Sequence, residues 1–285
     1  DERISSSTRA PRGPGAPAPI ASWDFEDGTT DSVAGLDGIP HGNVKIQEGK
    51  LVLGSGAYLT TPPLETELTE KTLEAWVQLD NLEQRGGGVL SVQSPDGRVF
   101  DAIVFGEIQP RHWLAGSDFH QRTERLGGDS KDQAIDQPVH LAICYHGDGQ
   151  IVAYRNGARY GKAYRTSPPV RFDNAIVSFG LRHLPAGGNR LLSGKIDYAA
   201  IYDRALTADE VAASFQRGGG RPARKQLVAV MTPRQRQRLA DAEAARDQLR
   251  NQLHSLGPAG EPRELAVWTE MSRALMLLKE FIYVR

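Results

Sequence analysis

The chain has 285 residues, with 34 Lys and Arg against 35 Asp and Glu, and its formal net charge is -1. This balance excludes a global electrostatic field that would recruit nucleic acid or an anionic membrane surface. The sequence contains no run of about 18 apolar residues, so it predicts no membrane insertion, and its length suits one large domain with a smaller unit.

The N-terminal segment, residues 1–19, is rich in Ser, Arg, Pro, Gly and Ala. Such a composition buries too little apolar surface to offset the entropy of ordering, so it predicts a flexible linker. The sequence begins at Asp1 rather than Met and shows no apolar signal-peptide core. We therefore expect a piece of a longer polypeptide whose upstream domains and targeting signal precede it.

The predicted domain spans residues 20–216, and from residue 20 to about residue 205 it shows a hydrophobic period of two, interrupted by short turns of Gly, Asp, Asn and Pro. Between Lys71 and Asp80, alternate residues are apolar, which is typical of a strand with one buried face. The dipeptide Asn156-Gly157 supplies the positive φ angles that a tight hairpin requires. Many short strands at regular spacing predict a mainly β domain, an antiparallel two-sheet sandwich or jelly roll.

Two capping boxes predict helices in the last third of the chain. Thr207 with Glu210 begins a short helix, and Thr232 with Gln235 begins a longer one, because each side chain satisfies a backbone donor at the helix start. Residues 217–231, which lie between the two helices, have the Gly-rich, basic composition of a second flexible linker.

A helical hairpin is predicted over residues 232–285, where two apolar stripes at helical spacing flank the helix breaker GPAGEP at 257–262. Two isolated helices bury too few apolar side chains to offset the backbone entropy that is lost when they fold. We therefore expect the hairpin to dock on the sandwich or on other domains of the same parent polypeptide. Its basic face lacks interleaved aromatic residues, which argues against nucleic-acid binding.

Five segments follow one another between residues 20 and 216: ASWDFEDGTTDSVAG, AYLTTPP, KTLEAWVQLD, VHLAICYHGDGQIVAYRNGARYG and LSGKIDYAAIYDRALTADEVAASF. In this order they resemble the laminin-G-like, or concanavalin A-like, jelly-roll family. The last segment is the most specific, because its strand runs into the capped helix as the family's closing strand does. The resemblance implies a concanavalin A-like β-sandwich for this part of the chain.

A narrower resemblance rests on WLAGSDFHQRT, FGLRHLPAGGNR and LKEFIYVR. These segments look like jelly-roll modules appended to large secreted bacterial proteins that also carry a c-type cytochrome domain. The resemblance implies an extracytoplasmic location, in the periplasm, on the cell surface or secreted, and polysaccharide handling by the parent protein. The sequence has no Cys-x-x-Cys-His motif, so we expect no covalent haem on this chain.

Catalysis is not predicted. Retaining glycosidases need two carboxylates about 5 to 5.5 Å apart, and the family's glucanases place theirs on a Glu-x-Asp-x-x-Glu strand that does not occur here. Glu65, Glu67 and Glu70 come nearest, but they lie in a loop flanked by Pro. Because no nucleophile elbow is found either, we predict a protein that is not an enzyme, with a divergent glycoside hydrolase as the weakest alternative.

One structural calcium ion is a candidate cofactor. Carboxylate oxygens suit this ion, and the segment WDFEDGTTD offers four within a short span: Asp24, Glu26, Asp27 and Asp31. The family resemblance implies a metal between the first and the closing strand, which would join Asp31 or Glu26 with Asp197. The alternative is a metal-free acidic turn in which Asp31 caps its own backbone.

A sugar site combines an aromatic face with planar hydrogen-bonding groups. Three segments carry such groups, and from them we predict a site for a polysaccharide or glycan formed by Trp113, Phe119, His120, Arg122, Tyr154, Arg155, Asn156, Arg182, His183 and Arg190. Trp113 is the leading candidate, although a Trp in a β protein is commonly a core residue. Arg182 would point either toward Trp113 or toward the helical tail.

The predicted function is a non-catalytic carbohydrate-binding or adhesive module of a larger secreted protein. The alternative is a structural module whose loops and helices pack against other domains of the parent polypeptide.

Overall fold

The computed structural model describes residues 17–26, 28–54, 56–130, 133–166, 169–218 and 231–255. The chain divides into two compact units, residues 1–221 and residues 222–285. In its described residues the first unit is built of β-strands and one short helix, and the second consists of one longer helix.

The first sheet, sheet A, contains nine strands: β1 (Ala21–Trp23), β3 (Lys45–Gln47), β4 (Lys50–Leu53), β6 (Lys71–Leu79), β10 (Val139–Tyr145), β11 (Gln150–Arg155), β12 (Ala158–Arg159), β13 (Tyr164–Arg165) and β15 (Gly194–Tyr202). They run in the order β12-β11-β10-β6-β15-β4-β3, with β1 paired to β15 and β13 paired to β11. All of these pairs are antiparallel.

The second sheet, sheet B, contains six strands: β2 (Ile39–His41), β5 (Tyr58–Thr60), β7 (Gly87–Gln93), β8 (Phe100–Phe105), β9 (Trp113–Ser117) and β14 (Ile176–Phe179). Their order is β2-β5-β14-β7-β8-β9, again with antiparallel pairing. The predicted antiparallel two-sheet sandwich is thereby confirmed.

The core lies between the two sheets, and the alternation read from the sequence determines which residues enter it. Leu73, Ala75, Val77 and Leu79 on β6 all belong to the central cluster. The side chain between them at Glu74 points to the opposite, outer face, but it is buried as well. An outer face is buried only where another element covers it, and both sheets of this protein are covered in part.

The short helix α1 (Ala208–Gly218) covers the outer face of sheet A. Its predicted capping box is present, because Thr207 N–H donates to Glu210 Oε2 at 2.9 Å and Glu210 N–H donates to Thr207 Oγ1 at 3.3 Å. From α1, the hydroxyl of Ser214 donates to Glu74 Oε1 at 2.5 Å. The ring of Phe215 stacks on Trp76, with the two ring centroids 5.5 Å apart.

The described part of the second unit is helix α2 (Pro233–Ser255), which begins at the predicted capping box of Thr232 and Gln235. Residues 256–285, which include the predicted second helix of the hairpin, lie outside the described residues, as do 1–16 and 219–230 of the two predicted linkers. Among the helices that the structure describes, none is long and apolar enough to cross a membrane.

Candidate ligand-binding cleft

Residues 181–190, here called the cover segment, fold back over the outer face of sheet B. The backbone of Arg182 lies directly on Gly88, where an added Cβ would stand 2.3 Å from Arg182 Cα. Leu184 N–H donates to Gln93 Oε1 at 2.8 Å, and the Gln93 amide in turn donates to Ser178 Oγ at 2.7 Å. The cover segment is therefore an ordered layer that buries polar side chains of the sheet beneath it.

A cleft of about 410 Å³ opens between the cover segment and the 3-10 turn Asp118–His120, here called the Phe119 turn. Phe100, on the outer face of β8, lines this cleft together with His183. The His183 ring stacks on Phe100 with centroids 4.4 Å apart and planes inclined by 16°. The cleft is therefore lined by aromatic rings as well as by polar groups.

Phe119 stands at this cleft with 89% of its surface exposed. Its φ is +46° and that of His120 is +56°, so two consecutive non-Gly residues adopt the left-handed region. That conformation costs free energy and is common at functional sites. Folding gains nothing from an exposed Phe ring, so burial in the core does not explain this arrangement.

Arg182 points into the cleft rather than toward Trp113, and it forms an ion pair with Glu107. Its Nη2 also donates to Asn189 Oδ1 at 3.3 Å. Burial lowers the pKa of Arg182, and the charge of Glu107 opposes this shift. Arg182 Nε and Glu107 Oε2 are buried without a hydrogen-bond partner among the described residues.

His183 and Arg190 form a linked pair at the same cleft. The Nε–H of Arg190 donates to His183 Nε2 at 3.0 Å, and its Nη1 donates to the carbonyl of Pro185 at 3.0 Å. His183 Nδ1 lies 2.7 Å from the carbonyl of Leu184, which only accepts hydrogen bonds. His183 is therefore the neutral tautomer with its hydrogen on Nδ1. The pKa of His183 is lowered, chiefly because the ring is partly buried and also because of the charges of Arg190 and Arg182. The hydrogen bond to Leu184 acts in the opposite direction and raises it.

Arg122 is buried beneath the Phe119 turn and does not line the cleft. Its Nε donates to Asp101 Oδ1 at 3.2 Å, and its Nη2 donates to Asp118 Oδ1 at 2.6 Å and to the carbonyl of Phe100 at 3.0 Å. Burial lowers the pKa of Arg122, but the charges of Asp101 and Asp118 outweigh it and raise the pKa overall. Arg122 therefore holds the wall of the cleft in place.

The position of Trp113 corrects the expectation that its ring stacks on a sugar. Trp113 is only 2% exposed and belongs to the core cluster between the sheets. Its ring packs on Phe105 with centroids 4.7 Å apart. A ring enclosed in this way presents no face to a ligand from solvent.

Tyr154 and Arg155 lie on β11 of sheet A, Asn156 lies in the turn that follows, and none of the three lines the cleft. Tyr154 is packed in the cluster on the outer face of that sheet. Asn156 has a φ of +51° in its hairpin turn, and its Oδ1 accepts the N–H of His140 at 3.0 Å. Five of the ten predicted residues do line the cleft, namely Phe119, His120, Arg182, His183 and Arg190.

The three carboxylates predicted as calcium ligands do not assemble into a site. Asp31 is fully buried and accepts four backbone N–H groups, those of Ser22, Val33, Ala34 and Leu36. Asp197 accepts a hydrogen bond from Lys50 Nζ at 2.9 Å. The carboxylate of Glu26 lies over Gly49, where an added Cβ would stand 2.6 Å from its Oε1.

Within the described residues, no three His, Cys, Asp or Glu side chains gather as a metal site. Asp27, which the sequence offered as a further ligand, lies outside the described residues. These contacts match the alternative interpretation of the segment, an acidic turn that Asp31 caps. They give the calcium prediction no support.

A family model described as the concanavalin A-like lectin/glucanases superfamily matches residues 53–212. The chain belongs to this superfamily. The match covers most of both sheets, including every strand that borders the cleft. A search of curated proteins found no match.

Two solved structures illustrate the superfamily fold. Domain 4 of AbnA, an extracellular GH43 arabinanase from Geobacillus stearothermophilus, was solved with arabinotriose. It is similar over 68% of this chain and 96% of its own, with 18% identity and a TM-score of 0.57. A Trypanosoma rangeli sialidase is similar over 71% of this chain and 33% of its own, with 15% identity and a TM-score of 0.52.

A third similar structure is the binding domain of botulinum neurotoxin DC in complex with SialylT. It matches over 69% of this chain and 50% of its own, with 13% identity and a TM-score of 0.52. This chain therefore spans only part of the sialidase and of the toxin domain. At these identities the similarity shows a shared fold, and the ligand of this chain has to be inferred from the residues of its own cleft.

Several residues of the cleft were not predicted from the sequence. Glu107 lies in the loop after β8, and its local sequence is typical of a solvent-exposed charge. Only the structure shows that it forms an ion pair with Arg182. Phe100 was not singled out, because the stack of His183 on its ring joins distant parts of the sequence. Its place as the first residue of β8, shortly after the turn-forming segment SPDGR, was the available signal.

Proposed function

We propose that this chain is a non-catalytic carbohydrate-binding module that holds a glycan in the cleft between the Phe119 turn and the cover segment. The observation that carries the proposal is the exposed ring of Phe119, held at the cleft in a strained backbone conformation. An aromatic ring that is free in solvent offers its face to the C–H groups of a sugar ring.

Polar groups at the same cleft supply the hydrogen bonds that sugar hydroxyls require. The guanidinium groups of Arg98 and Arg190 are donors, and His120 is half exposed beside them. Asp96 and Glu107 provide acceptors. A hydroxyl both donates and accepts, so a cleft that mixes the two kinds of group suits a polyhydroxylated ligand better than an apolar one.

The pairing of the carboxylates supports a binding role without turnover. Arg98 Nε lies 3.4 Å from Asp96 Oδ2. Glu107 forms an ion pair with Arg182, and Asp118 forms one with Arg122. A general acid needs a carboxyl group whose pKa is raised, whereas a neighbouring cation favours the ionised form. No carboxylate described at this cleft stands apart from a guanidinium in the way that an acid catalyst would.

The same proposal includes an extracytoplasmic location, as part of a larger secreted bacterial protein. The segments that resemble modules of such proteins support it, and so does the extracellular arabinanase domain among the similar folds. In that setting the module would keep the parent protein at a polysaccharide, and other domains of the parent are its proposed further partners.

Affinity gel electrophoresis of the purified chain in gels that contain single soluble polysaccharides tests the proposal. We expect at least one polysaccharide to retard the wild type and Phe119→Ala to abolish the retardation. The control is Ile135→Ala, which removes an apolar side chain that is 43% exposed and does not line the cleft. If no polysaccharide retards the wild type, or if Phe119→Ala is retarded equally, the proposal fails.

A further inference from the structure

We infer that the glycan held in this cleft is acidic and that Arg190 receives its carboxylate. This inference rests on the proposed function, because it names the class of glycan for the same site. It depends on the charges around the cleft, on the partners of Arg190 and on the shape of its guanidinium group.

The charges at the cleft leave one cation without an anionic partner. Three carboxylates line it, and each has a guanidinium as its partner: Asp96 with Arg98, Glu107 with Arg182, and Asp118 with Arg122. Arg190 also lines the cleft, but its acceptors are the neutral His183 ring and the carbonyl of Pro185. Across the described residues it forms no ion pair.

His183 directs how this guanidinium is presented. The ring is held from one side by its bond to Leu184 and from its face by Phe100, so its Nε2 has a fixed position. Arg190 uses Nε for that nitrogen and Nη1 for Pro185. No described residue bonds its Nη2, and the side chain is only half buried, so part of its planar donor edge is available from the cleft.

A carboxylate is the ligand group that matches this edge. A guanidinium donates two roughly parallel hydrogen bonds to the two oxygens of a carboxylate, and charge-assisted bonds of this kind are stronger than neutral ones. A neutral hydroxyl would leave the charge of Arg190 uncompensated. Phe119 supplies the apolar contact for the sugar ring, and Arg190 adds a preference for sugars that carry an acid group.

The test compares acidic polysaccharides with the same polymers after their carboxyl groups have been reduced to alcohols. Polygalacturonate, alginate and hyaluronan are each used in both forms, and dextran sulfate serves as a densely charged polymer without carboxylates. Binding of the wild type, Arg190→Gln and Arg165→Gln is measured by titration calorimetry. Arg165→Gln is the matched control, since it removes the same unit of charge from an exposed guanidinium that is paired with Asp148 and does not line the cleft.

We expect the wild type to bind at least one acidic polymer about tenfold more tightly than its reduced form. Arg190→Gln should lose this preference, because it weakens binding of the acidic polymer more than binding of the reduced polymer, whereas Arg165→Gln should retain the preference. The wild-type comparison needs no substitution, so it tests the inference even if Arg190→Gln fails to fold.

Three results would overturn the inference. The first is equal binding of acidic and reduced polymers, and the second is an Arg190→Gln protein that keeps the preference. The third is equally tight binding of dextran sulfate, which would indicate attraction to charge of any kind. In the first two cases a sugar-binding cleft would stand without a preference set by Arg190. If neither form of any polymer binds, the proposed function fails as well.

Discussion

The ring of His183 lies on the ring of Phe100, with centroids 4.4 Å apart and planes inclined by 16°. This stack ties the cover segment to β8 and sets one side of the cleft. His183 is part of the segment that crosses the outer face of sheet B, so the stack also controls how firmly that segment is held. The order of the cleft depends on this contact between residues that are far apart in sequence.

Replacing Phe100 with Ala should loosen the cover segment. Phe100 is 4% exposed, and truncating a buried Phe typically lowers the free energy of unfolding by about 3 to 5 kcal/mol. Amide hydrogen exchange should accelerate in residues 181–190 more than in the core strands. Val104→Ala, in the same small cluster but without a ring contact to His183, is the control. Equal exchange in both variants would contradict the role of the stack.

Trp113 and Phe119 should respond in opposite ways to truncation. Trp113→Ala should lower the free energy of unfolding by about 3 to 5 kcal/mol, because it removes a core ring. Phe119→Ala should change it by no more than about 0.5 kcal/mol, as is usual for an exposed side chain. Denaturant titration of both variants measures this, and a strongly destabilised Phe119→Ala would show that the ring supports the fold.

Arg122→Met should destabilise the protein strongly. It leaves Asp101 and Asp118 without this buried cation, and breaking a buried pair costs about 3 to 5 kcal/mol. The control is Arg165→Gln, which breaks an exposed pair with Asp148 and should cost less than about 1 kcal/mol. Chemical denaturation of the two variants should therefore differ clearly. Similar losses would mean that Lys71, whose Nζ lies 2.8 Å from Asp101 Oδ2, compensates the charge of Asp101 by itself.

Stability should fall on acidification because of His183. Its pKa in the folded protein lies below the ordinary value of 6.5, so the folded state binds fewer protons than the unfolded state in the window below that value. The contribution of His183 to stability is therefore fully present above pH 6.5 and is lost as the pH falls through the folded pKa. The free energy of unfolding should change by less than the one-proton limit of about 1.4 kcal/mol per pH unit.

The charged groups that act on this ring are Arg190, Arg182 and Asp118. His183→Gln keeps a side-chain acceptor for Arg190 but does not titrate, so it isolates the effect. Melting temperatures of the two proteins between pH 7 and pH 5 should diverge, with the wild type losing more. Parallel curves would assign the acid sensitivity to other groups.

Asp31 should stabilise its turn without a metal. The two carboxylate oxygens of Asp31 accept four backbone N–H groups. An Asn side chain in the same position would offer only one acceptor oxygen. Asp31→Asn should therefore cost about 1 to 3 kcal/mol, the usual range when a buried donor loses its partner. The melting temperature of the wild type should not change between added calcium and excess chelator; a clear rise with calcium would restore the predicted ion.

The sandwich itself follows from local patterns. Alternation along β6 places Leu73 and Val77 in the core, and the capping box of Thr207 and Glu210 starts a helix where the sequence predicts one. The residues that make up each signal lie close together in sequence. Side chains on one face of a strand recur every two residues, and the two partners of a capping box are three residues apart. These signals are readable without knowing which elements later pack together.

The cleft is different because its contacts join distant parts of the chain. Arg182 and Glu107 are 75 residues apart, and Arg122 and Asp101 are 21 apart. Trp113 and Phe119 are both aromatic residues in polar surroundings, yet the pairing of β9 with β8 buries the first while a left-handed turn exposes the second. The sequence by itself determined the fold class and the helix starts. Only the tertiary structure decided which ring, which guanidinium and which carboxylate face the ligand, because burial and charge pairing depend on neighbours brought together by folding.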